Sequence, residues 1–231
     1  MISCDQDSTN INGSPNDGQG GSLATFALAG DYLYTVDETD LNVFNVSEIE
    51  NPVQVNSVSI GFNIETLFSY GDYLYIGSRD GMFIYEIDNP EFPKKLAEVQ
   101  HFTACDPVVA NDKYAFVTLW SQVGCGNAVN QLEVYDIAEI TDPVLINTRV
   151  LNQPKGLGLY GDYLIVCDDE IKIFDVSDPE SAVLVKSIDN FAFDVIIRDD
   201  VLIAICETGV SQYALNANDI TQVEELSTVT F

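Results

Sequence analysis

The chain is poor in positive charge and in the side chains that most often carry acid–base or metal chemistry near neutral pH. Its 231 residues include one histidine, His101, one tryptophan, Trp120, and 9 lysines and arginines against 37 aspartates and glutamates, for a formal charge of -28. Such a field repels phosphate backbones and anionic head groups, and the only adjacent basic pair is Lys94-Lys95, so no nucleic-acid partner is expected. No apolar run reaches the length of a membrane-spanning helix. With one histidine and no closely spaced cysteine pair, no metal site of the Cys/His type is expected. There is neither a Gly-x-Ser-x-Gly elbow nor a glycine-rich phosphate loop opening a helix, and no cofactor is expected. The acidic loops Asp37-Glu38-Thr39-Asp40 and Asp168-Asp169-Glu170 could hold a calcium ion by charge, but they lack the alternating ligands and the glycine of a calcium loop.

What is present is a repeat. Ala29-Gly30-Asp31-Tyr32, Tyr70-Gly71-Asp72-Tyr73, Ala110-Asn111-Asp112-Lys113, Tyr160-Gly161-Asp162-Tyr163 and Arg198-Asp199-Asp200-Val201 read as five tight β-hairpins, their aspartates 41, 40, 50 and 38 residues apart. Each is flanked by nearly continuous apolar segments, as in strands covered on both faces. A third segment follows with an aromatic at one register, namely Phe44, Tyr85, Tyr135, Phe174 and Tyr213. A polar, often proline-containing bend then leads to a fourth. Four short strands per unit of about forty residues describe a propeller blade. The expected fold is therefore all-β, a five-bladed β-propeller of four-stranded antiparallel blades over residues 22–231. The last blade is either wholly C-terminal or completed by strand exchange between the termini.

The segments Leu132-Glu133-Val134-Tyr135-Asp136-Ile137 and Ile171-Lys172-Ile173-Phe174-Asp175-Val176-Ser177-Asp178-Pro179, each after a hairpin of the Gly-Asp-Tyr-Leu type, resemble the bacterial LVIVD-repeat proteins. That resemblance implies a surface or secreted propeller and leaves the activity open. Residues 1–21, rich in Gly, Asn, Asp, Gln and Ser, form a tether by composition. Cys4 ahead of that tether resembles the lipidated first residue of a bacterial lipoprotein. The segment Cys4-Asp5-Gln6-Asp7 resembles the export tags of Bacteroidetes surface lipoproteins. The expected place is the cell envelope, as an outer-membrane lipoprotein at the surface or in the periplasm, with the membrane engaged only through an N-terminal lipid anchor.

Strand alternation puts the loops before first strands and between second and third strands on one face of the ring. Cys105 and Cys125 both fall on that face in the third repeat, and a disulfide between them is expected. Cys167 and Cys206 end second strands one register apart, on opposite blade faces, and read as free buried thiols. Six places before the hairpin aspartates lie Thr25, Thr66, Asp106, Gly156 and Asp194. Asp106 and Asp194 therefore share a register near the axis, with Glu65 and Lys155 one place earlier and the exposed Trp120 nearby. The expected function is binding or scaffolding, with a glycan or an envelope protein as partner and Trp120, Asp106, Asp194, Glu65 and Lys155 as ligand-binding residues. The alternative is a glycoside hydrolase-like, carbohydrate-active enzyme using Asp106 and Asp194 as its carboxylate pair.

Overall fold

A computed structural model of the protein describes residues 21–100, 107–121 and 129–231. It is a five-bladed β-propeller, each blade a four-stranded antiparallel sheet built from consecutive strands. Blade 1 comprises β1 (Phe26–Ala29), β2 (Tyr32–Val36), β3 (Asp40–Asn45) and β4 (Val53–Ser59). Blade 2 comprises β5 (Ile64–Tyr70), β6 (Tyr73–Ser78), β7 (Gly81–Glu86) and β8 (Lys94–Gln100). Blade 3 comprises β9 (Val108–Ala110), β10 (Tyr114–Trp120), β11 (Asn130–Asp136) and β12 (Val144–Val150). Blade 4 comprises β13 (Leu157–Tyr160), β14 (Tyr163–Cys167), β15 (Ile171–Asp175) and β16 (Val183–Ile188). Blade 5 comprises β17 (Ala192–Arg198), β18 (Val201–Cys206), β19 (Gly209–Ala214) and β20 (Glu224–Thr230). Among the described residues no strand is exchanged between the chain ends: blade 1 is built from β1–β4 and blade 5 from β17–β20.

Four hairpins turn as their sequences require. Gly30, Gly71 and Gly161 have φ of 56° and Asp199 has φ of 52°, the left-handed conformation at the first turn position. The third hairpin differs. Asn111 pairs with Tyr114 through its backbone N–H, and its side-chain oxygen accepts from the N–H groups of Lys113 and Tyr114, so the turn residues are Asp112 and Lys113. Lys113 takes the place of the other hairpin aspartates: its carbonyl accepts from Ile137, as Asp31, Asp72, Asp162 and Asp200 accept from Val46, Ile87, Val176 and Leu215. Counting from Asp112 is therefore out by one, and Pro107 occupies the ring position of Asp194, its carbonyl accepting from Thr118 as that of Thr25 accepts from Val36. Asp106 itself, with His101, Cys105, Cys125 and Cys4, lies outside the described residues.

A bulge recurs opposite the repeated aromatic. The register of each third and fourth strand slips between Val43 and Phe44, Ile84 and Tyr85, Val134 and Tyr135, Ile173 and Phe174, and Gln212 and Tyr213. Each slip leaves one unpaired apolar residue on the outer strand: Val55, Leu96, Ile146, Val185 and Leu226. The extra residue bends the outer strand and increases its twist.

The core lies between blades. Tyr85 packs with blade 1, Tyr135 with blade 2, Phe174 with blade 3 and Tyr213 with blade 4, all four buried. The repeated aromatic thus always faces the preceding blade. Polar contacts run across the same boundaries, as Tyr34 OH donates to the Pro90 carbonyl, Asn147 Nδ2 to the Pro179 carbonyl and Arg149 to the Ala182 carbonyl, with its guanidinium over the Phe174 ring. Phe44 is the exception: its preceding blade is blade 5, and it is only half-buried. Phe174→Ala is expected to cost about 3–5 kcal/mol of unfolding free energy, and Phe44→Ala only about 1–2 kcal/mol, by urea denaturation followed by circular dichroism.

Candidate functional site at the axial entrance

The segment before β1 crosses the axis on the face expected to carry the site. Ser22 is buried; its Oγ donates to Asp194 Oδ1 at 3.1 Å and accepts from the Leu157 N–H at 2.8 Å. The Leu23 N–H donates to Asp194 Oδ2 at 3.2 Å, and the Ala24 carbonyl accepts from the Leu67 N–H at 2.7 Å. Three residues of blade 1's approach are thus tied to blades 2, 4 and 5. Asp194 also accepts from its neighbour's N–H, Val195, at 2.9 Å.

Space for this carboxylate comes from two glycines. A Cβ on Gly21 would lie 2.1 Å from Asp194 Oδ2, and one on Gly156 would lie 2.2 Å from Oδ1 and 2.7 Å from the Asp194 Cα. Burial pushes the Asp194 carboxyl above its ordinary pKa, opposed by the N–H and hydroxyl donors around it. Cys167 is enclosed on the neighbouring strand end, and burial, with Asp194 and Cys206 nearby, holds its thiol well above the usual range. Both cysteines are free. Cys206 is only half-buried, with Sγ 3.5 Å from Asn190 Oδ1. Their opposite strand parity makes both face the interface between blades 4 and 5, because adjacent blades present opposite faces to one another.

Glu65 forms an ion pair with Arg79 at 2.6 Å. Asp168, fully buried, accepts from the N–H groups of Asn152 and Gln153 and from Lys172 Nζ at 2.7 Å. Lys172 also reaches Asp169 at 2.5 Å and holds that carboxyl below the usual range. An ammonium therefore sits where the acidic sequence had suggested room for a cation, and among the described residues no cluster of metal-ligating side chains occurs.

Lys155 is different. Its Nζ lies 5.1 Å from the Trp120 ring centroid and 4.6 Å from that of Phe191, and no carboxylate among the described residues pairs with it. Trp120 is placed by the end of β10, where Thr118 Oγ1 donates to the Lys155 carbonyl at 2.5 Å, and Phe191 by the entry to β17. Both rings keep solvent-accessible surface, Phe191 at 41%. The structure thus brings Trp120 and Lys155 together and adds Phe191, while Asp194 is engaged with Ser22 and Leu23 and Glu65 with Arg79. Phe191 escapes sequence reading because it lies in a bend without the repeat's register.

The class defined by this fold is the five-bladed β-propeller. Within it the chain carries LVIVD repeats, matched by the LVIVD repeat family model at residues 66–96 and 155–190. These segments fall in blades 2 and 4. No curated protein sequence matches the chain. Among solved structures, a protein from Lactobacillus plantarum is similar with a TM-score of 0.71 at 13% identity, covering 87% of this chain and 68% of that one. The Pseudomonas aeruginosa periplasmic gluconolactonase PpgL is similar with a TM-score of 0.66 at 17% identity, covering 87% and 68%. The computationally designed Ika8 protein is similar with a TM-score of 0.62 at 9% identity, covering 88% and 60%. At such identities the likeness is one of fold.

Two predictions follow from the carboxylate and its cradle. Gly156→Ala is expected to lower unfolding free energy by about 3 kcal/mol, read by urea denaturation, since the new methyl group meets backbone as well as the carboxylate. The raised folded pKa of Asp194 makes its contribution to stability fully present below the unfolded value near 3.8 and lost as the pH climbs through the folded value. Thermal melts at pH 4 and pH 7 are expected to show the wild-type midpoint falling relative to that of Asp194→Asn as pH rises; a constant difference contradicts this.

Proposed function

We propose that the protein is a binding propeller of the cell envelope whose axial entrance takes a glycan. The observation that carries this reading is Lys155, which alone among the cations of the described residues lies against two aromatic rings, Trp120 and Phe191. Aromatic faces accept the apolar side of a sugar ring, and an ammonium beside them donates to hydroxyl or carboxylate oxygens. Asp194 belongs to the wall: its oxygens accept from Ser22, Leu23 and Val195. Placement at the envelope through Cys4 rests on the lipoprotein-like start of the sequence, where Cys4 precedes an acidic, glycine-rich tether.

A second reading, a carbohydrate-active enzyme, is favoured by the likeness to a gluconolactonase. It requires turnover, which binding does not. Trp120 is the only tryptophan, so its fluorescence reports the site directly. Titration with neutral and uronic-acid oligosaccharides is expected to give a saturable change that Lys155→Met and Phe191→Ala weaken at least tenfold, with no sugar product. No response to any saccharide overturns the glycan reading, and product formation replaces binding with catalysis.

A further inference from the structure

The five interfaces between blades are not equivalent. At the second position after the hairpin, Leu74, Ala115, Leu164 and Leu202 face the preceding blade and are all buried, whereas Leu33 of blade 1 is not. One residue on, Tyr34, Tyr75, Phe116 and Ile165 face the following blade and are all buried, whereas Ile203 of blade 5 is not. Phe44, as noted, is half-buried where its four counterparts are enclosed, and Phe26 on the same face of blade 1 is 53% exposed. The apolar clusters join blades 1 and 2, blades 2, 3 and 4, and blades 4 and 5; among the described residues none joins blade 5 to blade 1. Strands β1 and β17 do not approach as the other neighbouring inner strands do. Among the described residues, the contacts that hold this seam at the axial end are polar, those of Asp194 with Ser22 and Leu23.

At the hairpin end the repeat supplies a second clue. Tyr70 OH donates to Asp112 of the next blade, and Tyr160 OH donates to Asp200 of the next blade at 2.5 Å. The residue before the turn thus ties each of these blades to the following hairpin. In blade 5 that position is Arg198, and the following hairpin is that of blade 1, carrying Asp31 in the place of Asp200. Arg198 and Asp31 are complementary in charge, both exposed, and do not form an ion pair in this structure. The position that is a tyrosine at two covered seams is thus a long, flexible cation at the seam that is not covered.

We propose that the seam between blades 5 and 1 is a closable gap in the ring. It is clasped at the axial entrance by Asp194 with residues 22–23 and shuts at the hairpin end when Arg198 pairs with Asp31. Closure covers Leu33, Phe44, Ile203 and Ile205, the apolar residues left partly exposed in the structure. It also bears on the glycan site, because Phe191 and Asp194 both lie at the start of β17 and residues 22–24 cross the same entrance. In that respect the inference deepens the binding reading, yet its test needs no ligand and stands if no glycan binds.

Hydrogen exchange of the full-length protein, read by mass spectrometry on peptides from each blade, tests it. In the wild type, β2, β3, β18 and β19 are expected to exchange faster than β6, β7, β14 and β15. Arg198→Glu is expected to raise exchange in β2, β3, β18 and β19 by about two- to fivefold, the range an exposed ion pair controls, and to leave β6 and β7 unchanged. The swap Asp31→Arg with Arg198→Glu is expected to restore wild-type rates. Equal exchange across all five blades in the wild type overturns the gap. An Arg198→Glu effect that is absent, or that the swap fails to rescue, overturns the latch.

Discussion

Everything in this molecule depends on one contact made again in each repeat: the aromatic of a blade's third strand packed against the blade before it. A four-stranded sheet of this size cannot bury its own apolar faces, so each blade is stable only as a layer between two others. Tyr85, Tyr135, Phe174 and Tyr213 make that layer continuous from blade 1 to blade 5. A ring built this way has a weak place wherever the contact fails, and Phe44 marks it.

The polar groups on the axis follow from that geometry. Inner strands converge there, leaving little room for side chains, and Gly21 and Gly156 surrender theirs to the Asp194 carboxylate. That carboxylate then ties the chain's entry into blade 1 to blade 5, where among the described residues no apolar cluster does so. The aspartate that the sequence offered as one of a carboxylate pair accepts hydrogen bonds from Ser22, Leu23 and Val195. Lys155 instead lies against Trp120 and Phe191, with no carboxylate partner among the described residues. Among the described residues it is the one cation set against two aromatic rings.

Much of the fold was legible because a hairpin needs particular residues at particular φ values, and Gly-Asp recurs with the period of a blade. The reading slipped at repeat three, where Asn111 closes the turn with its side chain and moves it one residue along. Local chemistry of that kind competes with the pattern, and one place is enough to exchange Pro107 for Asp106 in the ring. The five bulges went unread because Val55, Leu96, Ile146, Val185 and Leu226 look like ordinary strand residues until their partners are known. Trp120 and Lys155 were singled out, but their contact and the part of Phe191 in it were not.

By itself the sequence determined the strands, their turns, the number of blades and the excess of negative charge, since these depend on residues close together in the chain. Only the tertiary structure decided that blade 5 is closed by its own strands, that Asp194 binds Ser22, 172 residues away, and that Lys155 meets two rings from different blades. It also decided that, among the described residues, one seam of five lacks the apolar cluster that joins the others. Those outcomes depend on how many layers surround the axis and how far each must turn, a condition on the whole ring that no single repeat contains.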